Sequence, residues 1–111
     1  MSSRLTTAFR VAAAVRQGNG MAIPVVVVRR GSEEAGALFV KLNRRDLGCT
    51  VLVEARDTGG EMIWLRGTGE LPVAEPEADA YVERQVKRDP DAWVVEIEDR
   101  QGRHLFAGRL V

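Results

Sequence analysis

The stretch from residue 23 to residue 66 constrains the fold more than any other, because its polar connections are too short for anything but tight reversals. Segments 31–36 (GSEEAG), 44–48 (RRDLG) and 57–60 (DTGG) separate four runs of strand character. Parallel neighbours need a crossover of a dozen or more residues, so connections of this length join antiparallel strands and predict a meander. The first run, IPVVVVRR at 23–30, is uniformly β-branched and reads as a strand buried on both faces, with Pro24 at its start. The second, 37–43, alternates Leu38, Val40 and Leu42 against Ala37, Phe39, Lys41 and Asn43. The third, 50–56, aligns Val51, Val53 and Ala55, and the fourth spans 61–66.

Helical periodicity flanks this block. Over residues 3–17 the pattern places Leu5, Ala8, Phe9, Ala12 and Val15 on one face, with Ser2 or Ser3 as the cap and Gly18-Asn19-Gly20 as the stop. A second helix opens at Pro76, shares Ala78, Tyr81, Val82 and Val86 on one face, and stops before Pro90. Its acids, Glu75, Glu77 and Asp79, stand at the start and Lys87 and Arg88 at the end, the order the helix dipole favours. Beyond it Trp93, Val95 and Ile97 oppose Val94, Glu96 and Glu98 along a strand. Residues 99–102 (DRQG) then form a tight turn, and 104–106 return antiparallel to the strand just made. The assembled expectation is one α+β domain over residues 1–111, in the order α-β-β-β-β-α-β-β. Its sheet is mainly antiparallel with five or six strands, and both helices pack on one face.

Composition removes several function classes. A chain of 111 residues with 45% hydrophobic and 29% charged residues has the balance of a globular domain. Lys plus Arg and Asp plus Glu number 16 each, so no net field draws in nucleic acid or an anionic membrane. The halves differ in sign: residues 1–60 carry nine bases and five acids, residues 61–111 seven and eleven. Cys49 is the single cysteine, which rules out an internal disulfide, leaves no thiolate cluster for zinc and fits a reducing compartment. Residues 1–32 hold five arginines and no acid, a bias shared with transit peptides. Arg10 interrupts any secretory apolar core, however, and the segment reads as mature protein. A cytoplasmic protein without a membrane span is expected.

Three constellations bear on chemistry. Glu96, Glu98, Asp99, Arg103 and His104 concentrate acids, a base and the one histidine near the C-terminus. Two carboxylates and an imidazole can hold a divalent ion or divide acid and base roles, provided the hairpin register brings His104 beside Glu98. Ion pairing among the same residues, on a charged sheet face, is the competing reading. A metal-dependent nuclease core, with an acid on one strand and Glu-x-Lys on the next, fails at both positions: Glu54-Ala55-Arg56 carries Arg, and Lys41 and Asn43 stand where the acid belongs. Arg29, Arg30, Lys41, Arg44, Arg45 and Arg56 can form a basic patch with Phe39 and Trp64 as stacking platforms, although five acids come from the same region. Gly59-Gly60 and Gly67-Thr68-Gly69 lack the strand-to-helix context of a phosphate loop.

EEAGALFVKLNR (33–44) and DPDAWVVEIEDRQGRHLF (89–106) resemble the two signature stretches of the bacterial domain of unknown function 1491, and LTTAFRVAAAV near the start is similar too. The resemblance implies a short single-domain bacterial protein and brings no activity, cofactor or catalytic residue with it. The leading expectation is a small non-enzymatic interaction domain with a second protein or a second copy as partner, no catalytic residue, no cofactor and no metal. Two others stand beside it. One is a metal-binding protein or enzyme using Glu96, Glu98 and His104; the other is a weak nucleic-acid binder through the basic strand faces.

Overall fold

The computed structural model describes residues 5–111. It contains helix α1 (Thr7–Met21), strands β1 (Val25–Arg29), β2 (Leu38–Asn43), β3 (Cys49–Arg56) and β4 (Met62–Arg66), helix α2 (Glu75–Arg88), and strands β5 (Trp93–Glu98) and β6 (Arg109–Leu110). A one-turn 3-10 helix, Arg45–Leu47, between β2 and β3 distinguishes this order from the expected one. The chain is α+β, but its six-stranded sheet is mixed, in the order β1-β5-β2-β3-β4-β6. The β1/β5, β2/β3 and β3/β4 pairs are antiparallel, and β2/β5 and β4/β6 are parallel.

The meander therefore holds for β2-β3-β4 and breaks on both sides of it. β1 and β2 run in opposite directions as their short connection predicts, yet β5 lies between them, pairing Val26 with Glu96 on one edge and Val40 with Val95 on the other. Crossing one intervening strand takes about 10 Å, well within the reach of the intervening residues. Because both edges of β5 are occupied, a hairpin partner has no place beside it. The expected return strand at 104–106 is absent; the chain crosses the sheet and forms β6 against β4, with Ile63 opposite Arg109 and Trp64 opposite Leu110.

The two helices lie on opposite faces, not on one. Strand alternation sends Leu38, Val40 and Leu42 into a core with Val11 of α1, Leu52, Trp64, Trp93, Val95 and Ile97. Phe39 and Val51 face the other way, into a smaller core with Ala78 of α2, Cys49 and Ala92. Segment 104–106 joins α1 in covering the first core, through Leu105 and Phe106.

Helix α1 corrects the sequence reading in detail. The expected Ser2 or Ser3 cap lies outside the described residues; Thr6 is the N-cap, its side chain accepting from the Phe9 N–H at 3.1 Å. The buried stripe is Thr7, Val11, Ala14 and Gly18, and Phe9 is 57% exposed. Gly18 does not stop the helix. A Cβ there would stand 2.5 Å from Val25 Cγ2, so the glycine is what lets α1 approach β1. The helix runs three residues further and ends at Ala22 in the left-handed conformation (φ 58°), with the Ile23 N–H on Gly18 O at 2.8 Å.

Candidate functional site

The carboxylates and histidine expected to form one site are held in four separate places. Glu96 lies on the α2 face of β5, where its Oε2 accepts from Asn43 Nδ2 at 3.0 Å and its Oε1 is 3.8 Å from Lys41 Nζ. Glu98 pairs with Arg45 at 2.9 Å. Asp99 anchors its own turn: it accepts from the Arg103 backbone N–H at 2.9 Å and from both forks of the Arg103 guanidinium, at 2.8 and 3.1 Å. Those bonds hold its carboxyl at about 2. His104 is on the α1 face, its ring 5.7 Å from that of Trp64 and its Nδ1 accepting from the Phe106 N–H at 3.2 Å. Burial pushes its pKa below the usual value, against a backbone hydrogen bond to Gly108 that favours the charged form. With the sheet between His104 and the glutamates, the acid–base and metal arrangement does not assemble. Among the described residues no group of three or more His, Cys, Asp or Glu is placed to hold a metal ion.

The charged centre that does assemble is built around Lys41, one of the six residues of the candidate basic patch. Lys41 is 6% exposed, with Nζ 2.6 Å from Glu75 Oε2 and 2.7 Å from Asp79 Oδ1 at the start of α2. Burial acts to lower its pKa, but the hydrogen bonds to Asp79 and Glu75 and the charge of Glu96 outweigh it and raise the pKa above the usual lysine value. An ammonium held protonated and occupied on three sides is neither a nucleophile nor a base; it ties the N-terminus of α2 to the centre of the sheet. The available signal was a lysine at an inward position of an apolar strand, LFVKLN, with acids spaced i,i+4 in a later helix. Cys49 nearby is 2% exposed, and burial raises its thiol pKa, the environment of a structural thiol.

The other members of the basic patch are also dispersed. Phe39 and Trp64 are 7% and 0% exposed and offer no ring to a base. Arg30 lies over Trp93, its guanidinium carbon 4.9 Å from the ring centroid, and Arg29 donates to Ala92 O at 2.7 Å.

Among the described residues nothing pairs with the outer side of β1, the longer of the sheet's two outer strands. The Glu98 N–H bonds to Pro24 O at 3.0 Å, and the 25/97, 26/96 and 27/95 register then makes Val26 the residue whose backbone faces β5. Val25 and Val27 therefore direct their N–H and C=O groups outward. The reading of β1 as buried on both sides is overturned: Val26 and Val28 are each 55% exposed. Grooves run along both faces of this edge, mainly apolar on the α2 face and mixed apolar and polar on the α1 face. One lies between β1 and α1 and is lined by Ala8, Ala12, Val15 and Val27; the other, between β1 and α2, is lined by Val28, Val82, Val86 and Val94. No sequence pattern marked this site, because VVVV reads the same in a central strand and at an edge.

Comparison with known proteins agrees with this architecture. The crystal structure of a DUF1491 family protein from Caulobacter crescentus is 38% identical, covers 97% of this chain and 100% of its own, and superposes with a TM-score of 0.86. The NMR structure of a DUF1491 family protein from the same organism is also 38% identical, covering 99% of each chain with a TM-score of 0.84. Protein Atu0922 from A. tumefaciens, solved in solution, is 27% identical over 95% of this chain and 94% of its own, with a TM-score of 0.77. No curated protein matches. The family model for the protein of unknown function DUF1491 matches residues 5–107, and the chain belongs to that family.

Proposed function

We propose that this chain is a non-enzymatic protein-interaction domain of the cytoplasm that accepts an extended segment of a partner at the β1 edge. The observation that carries this reading is the combination at one place of outward backbone groups on Val25 and Val27 with a groove on each face that offers a floor of valines and alanines. A strand added here continues the ladder through main-chain hydrogen bonds, and its alternate side chains enter the α1 and α2 grooves in turn. Edge strands of soluble proteins are ordinarily blunted by charge, proline or a bulge. β1 has a bulge between Val27 and Arg29 and Pro24 before its start, and the run between them stays apolar.

Titration of the isotope-labelled chain with an alternating valine–threonine peptide tests the reading. The amide resonances of Val25 to Arg29 are expected to shift. Val27→Pro removes an outward donor without touching the β1/β5 ladder, so it abolishes those shifts while the rest of the spectrum is retained. Shifts that are absent from β1, or that survive Val27→Pro unchanged, contradict it.

A further inference from the structure

We infer that the segment accepted at the β1 edge has an apolar centre flanked by carboxylates, an inference that rests on the strand-acceptor reading above. Cations outnumber carboxylates around both grooves. Arg16 and Arg30 border the α1 groove and Arg29 and Lys87 the α2 groove, against one carboxylate, Glu83. Among the described residues, none of Arg16, Arg29, Arg30 and Lys87 takes part in an ion pair. Arg29 and Arg30 are held by neutral partners, the Ala92 carbonyl and the Trp93 ring, which fix their positions and leave their charge uncompensated. A partner with carboxylates beyond its apolar centre therefore meets prearranged cations on both sides of the strand it adds.

Two other occupants match less of the site. A second copy, related by a twofold axis at Val26, satisfies the backbone of Val25 and Val27 but brings two sets of like-charged rims together, which is repulsive. A nucleic acid answers the charge and leaves the grooves empty, and Phe39, Trp64 and Trp93 are buried and unavailable for stacking.

The test uses the full chain and two peptides of about nine residues with the same alternating valine–threonine centre, one flanked by glutamates and one by lysines, read by amide shifts at low and raised salt. The glutamate-flanked peptide is expected to bind on the order of tenfold more tightly, with the advantage shrinking as salt is added. Arg16→Glu with Lys87→Glu, both exposed positions, is expected to reverse the preference with the unbound spectrum intact. Equal binding, or preference for the lysine-flanked peptide, at β1 overturns the acidic-partner inference and leaves the strand-acceptor reading standing. Absence of β1 shifts with either peptide overturns both. Shifts at β1 on concentrating the protein alone assign the edge to a second copy, and shifts there with a single-stranded oligonucleotide but neither peptide assign it to nucleic acid; either result overturns the inference.

Discussion

The two sides of the sheet are finished differently. Beside β4 the chain supplies its own extra strand: β6 pairs with Ile63 and Trp64, the Val111 N–H bonds to Trp64 O at 2.9 Å, and Arg66 Nη1 donates to Val111 O at 2.6 Å. The segment leading to β6 is tied down by Trp64, whose Nε1 donates to Ala107 O at 2.9 Å and whose ring meets His104 and Phe106, each at 5.7 Å. Beside β5 the sheet ends at β1 with two valine backbones facing outward and a groove on each face. One side shows what strand addition looks like when the chain completes it, a short added strand held by an aromatic anchor. The other has the same requirements unmet.

The comparison can be broken most severely at Trp64. Trp64→Ala removes a side chain with 0% exposure and the hydrogen bond that holds residue 107. It is expected to cost about 3–5 kcal/mol in urea unfolding and to release β6, so that hydrogen exchange at Leu110 and Val111 accelerates while β1/β5 amides change little. A smaller loss is expected at Lys41. Lys41→Ala leaves Glu75, Asp79 and Glu96 facing one another, and because Glu75 and Asp79 are half exposed the expected cost is about 2 kcal/mol, below that of a fully buried pair. Combining Lys41→Met with Glu96→Gln recovers part of it if the penalty is uncompensated charge.

A pH dependence sharpens the same contrast. Burial against Trp64 lowers the His104 pKa, so the unfolded chain binds that proton more readily than the folded one. The neutral histidine's contribution is complete above the unfolded value of about 6.5 and is lost as the pH falls through the lower folded value. Thermal unfolding followed from neutral to mildly acidic pH should show that loss in the native chain and not in His104→Phe, with β6 amides the first to exchange. Asp99 acts in a lower window. Its carboxyl, held at about 2, contributes above roughly pH 4 and loses that contribution as the pH falls toward 2. The smallest effect is expected at the open side: Val27→Pro should change global stability by about 1 kcal/mol, mostly from trimming a half-buried side chain, because among the described residues the donor it removes has no partner.

Much of the fold was legible because it is local. Alternation along β2, β3 and β5 assigned the correct faces to Leu38, Phe39, Val51 and Trp93, and the acids, Pro76 and terminal bases of α2 marked its extent. The long-range steps were not legible. Nothing in residues 93–98 specifies insertion between β1 and β2, and that insertion alone displaces the last strand, separates His104 from Glu96 and Glu98, and replaces a meander with a mixed sheet. The stripe of α1 was misjudged for a related reason. Phe9 outranks Thr7 in hydrophobicity, but Thr7 is buried with its hydroxyl donating to Gly36 O at 2.8 Å, a partner 29 positions away. Candidate chemistry failed where the sequence offered residue types without faces. Glu96, Glu98 and His104 are close in number, and a sheet divides them.

The central claim, that the β1 edge is open and the β4 edge is closed, is tested most directly by amide hydrogen exchange on the dilute, unliganded chain. Val25 and Val27 are predicted to exchange at rates near those of exposed loops, while Val26, facing β5, and Val111, bonded to Trp64, are protected. Protection of Val25 and Val27 equal to that of Val26 would show the edge already paired and would contradict the account.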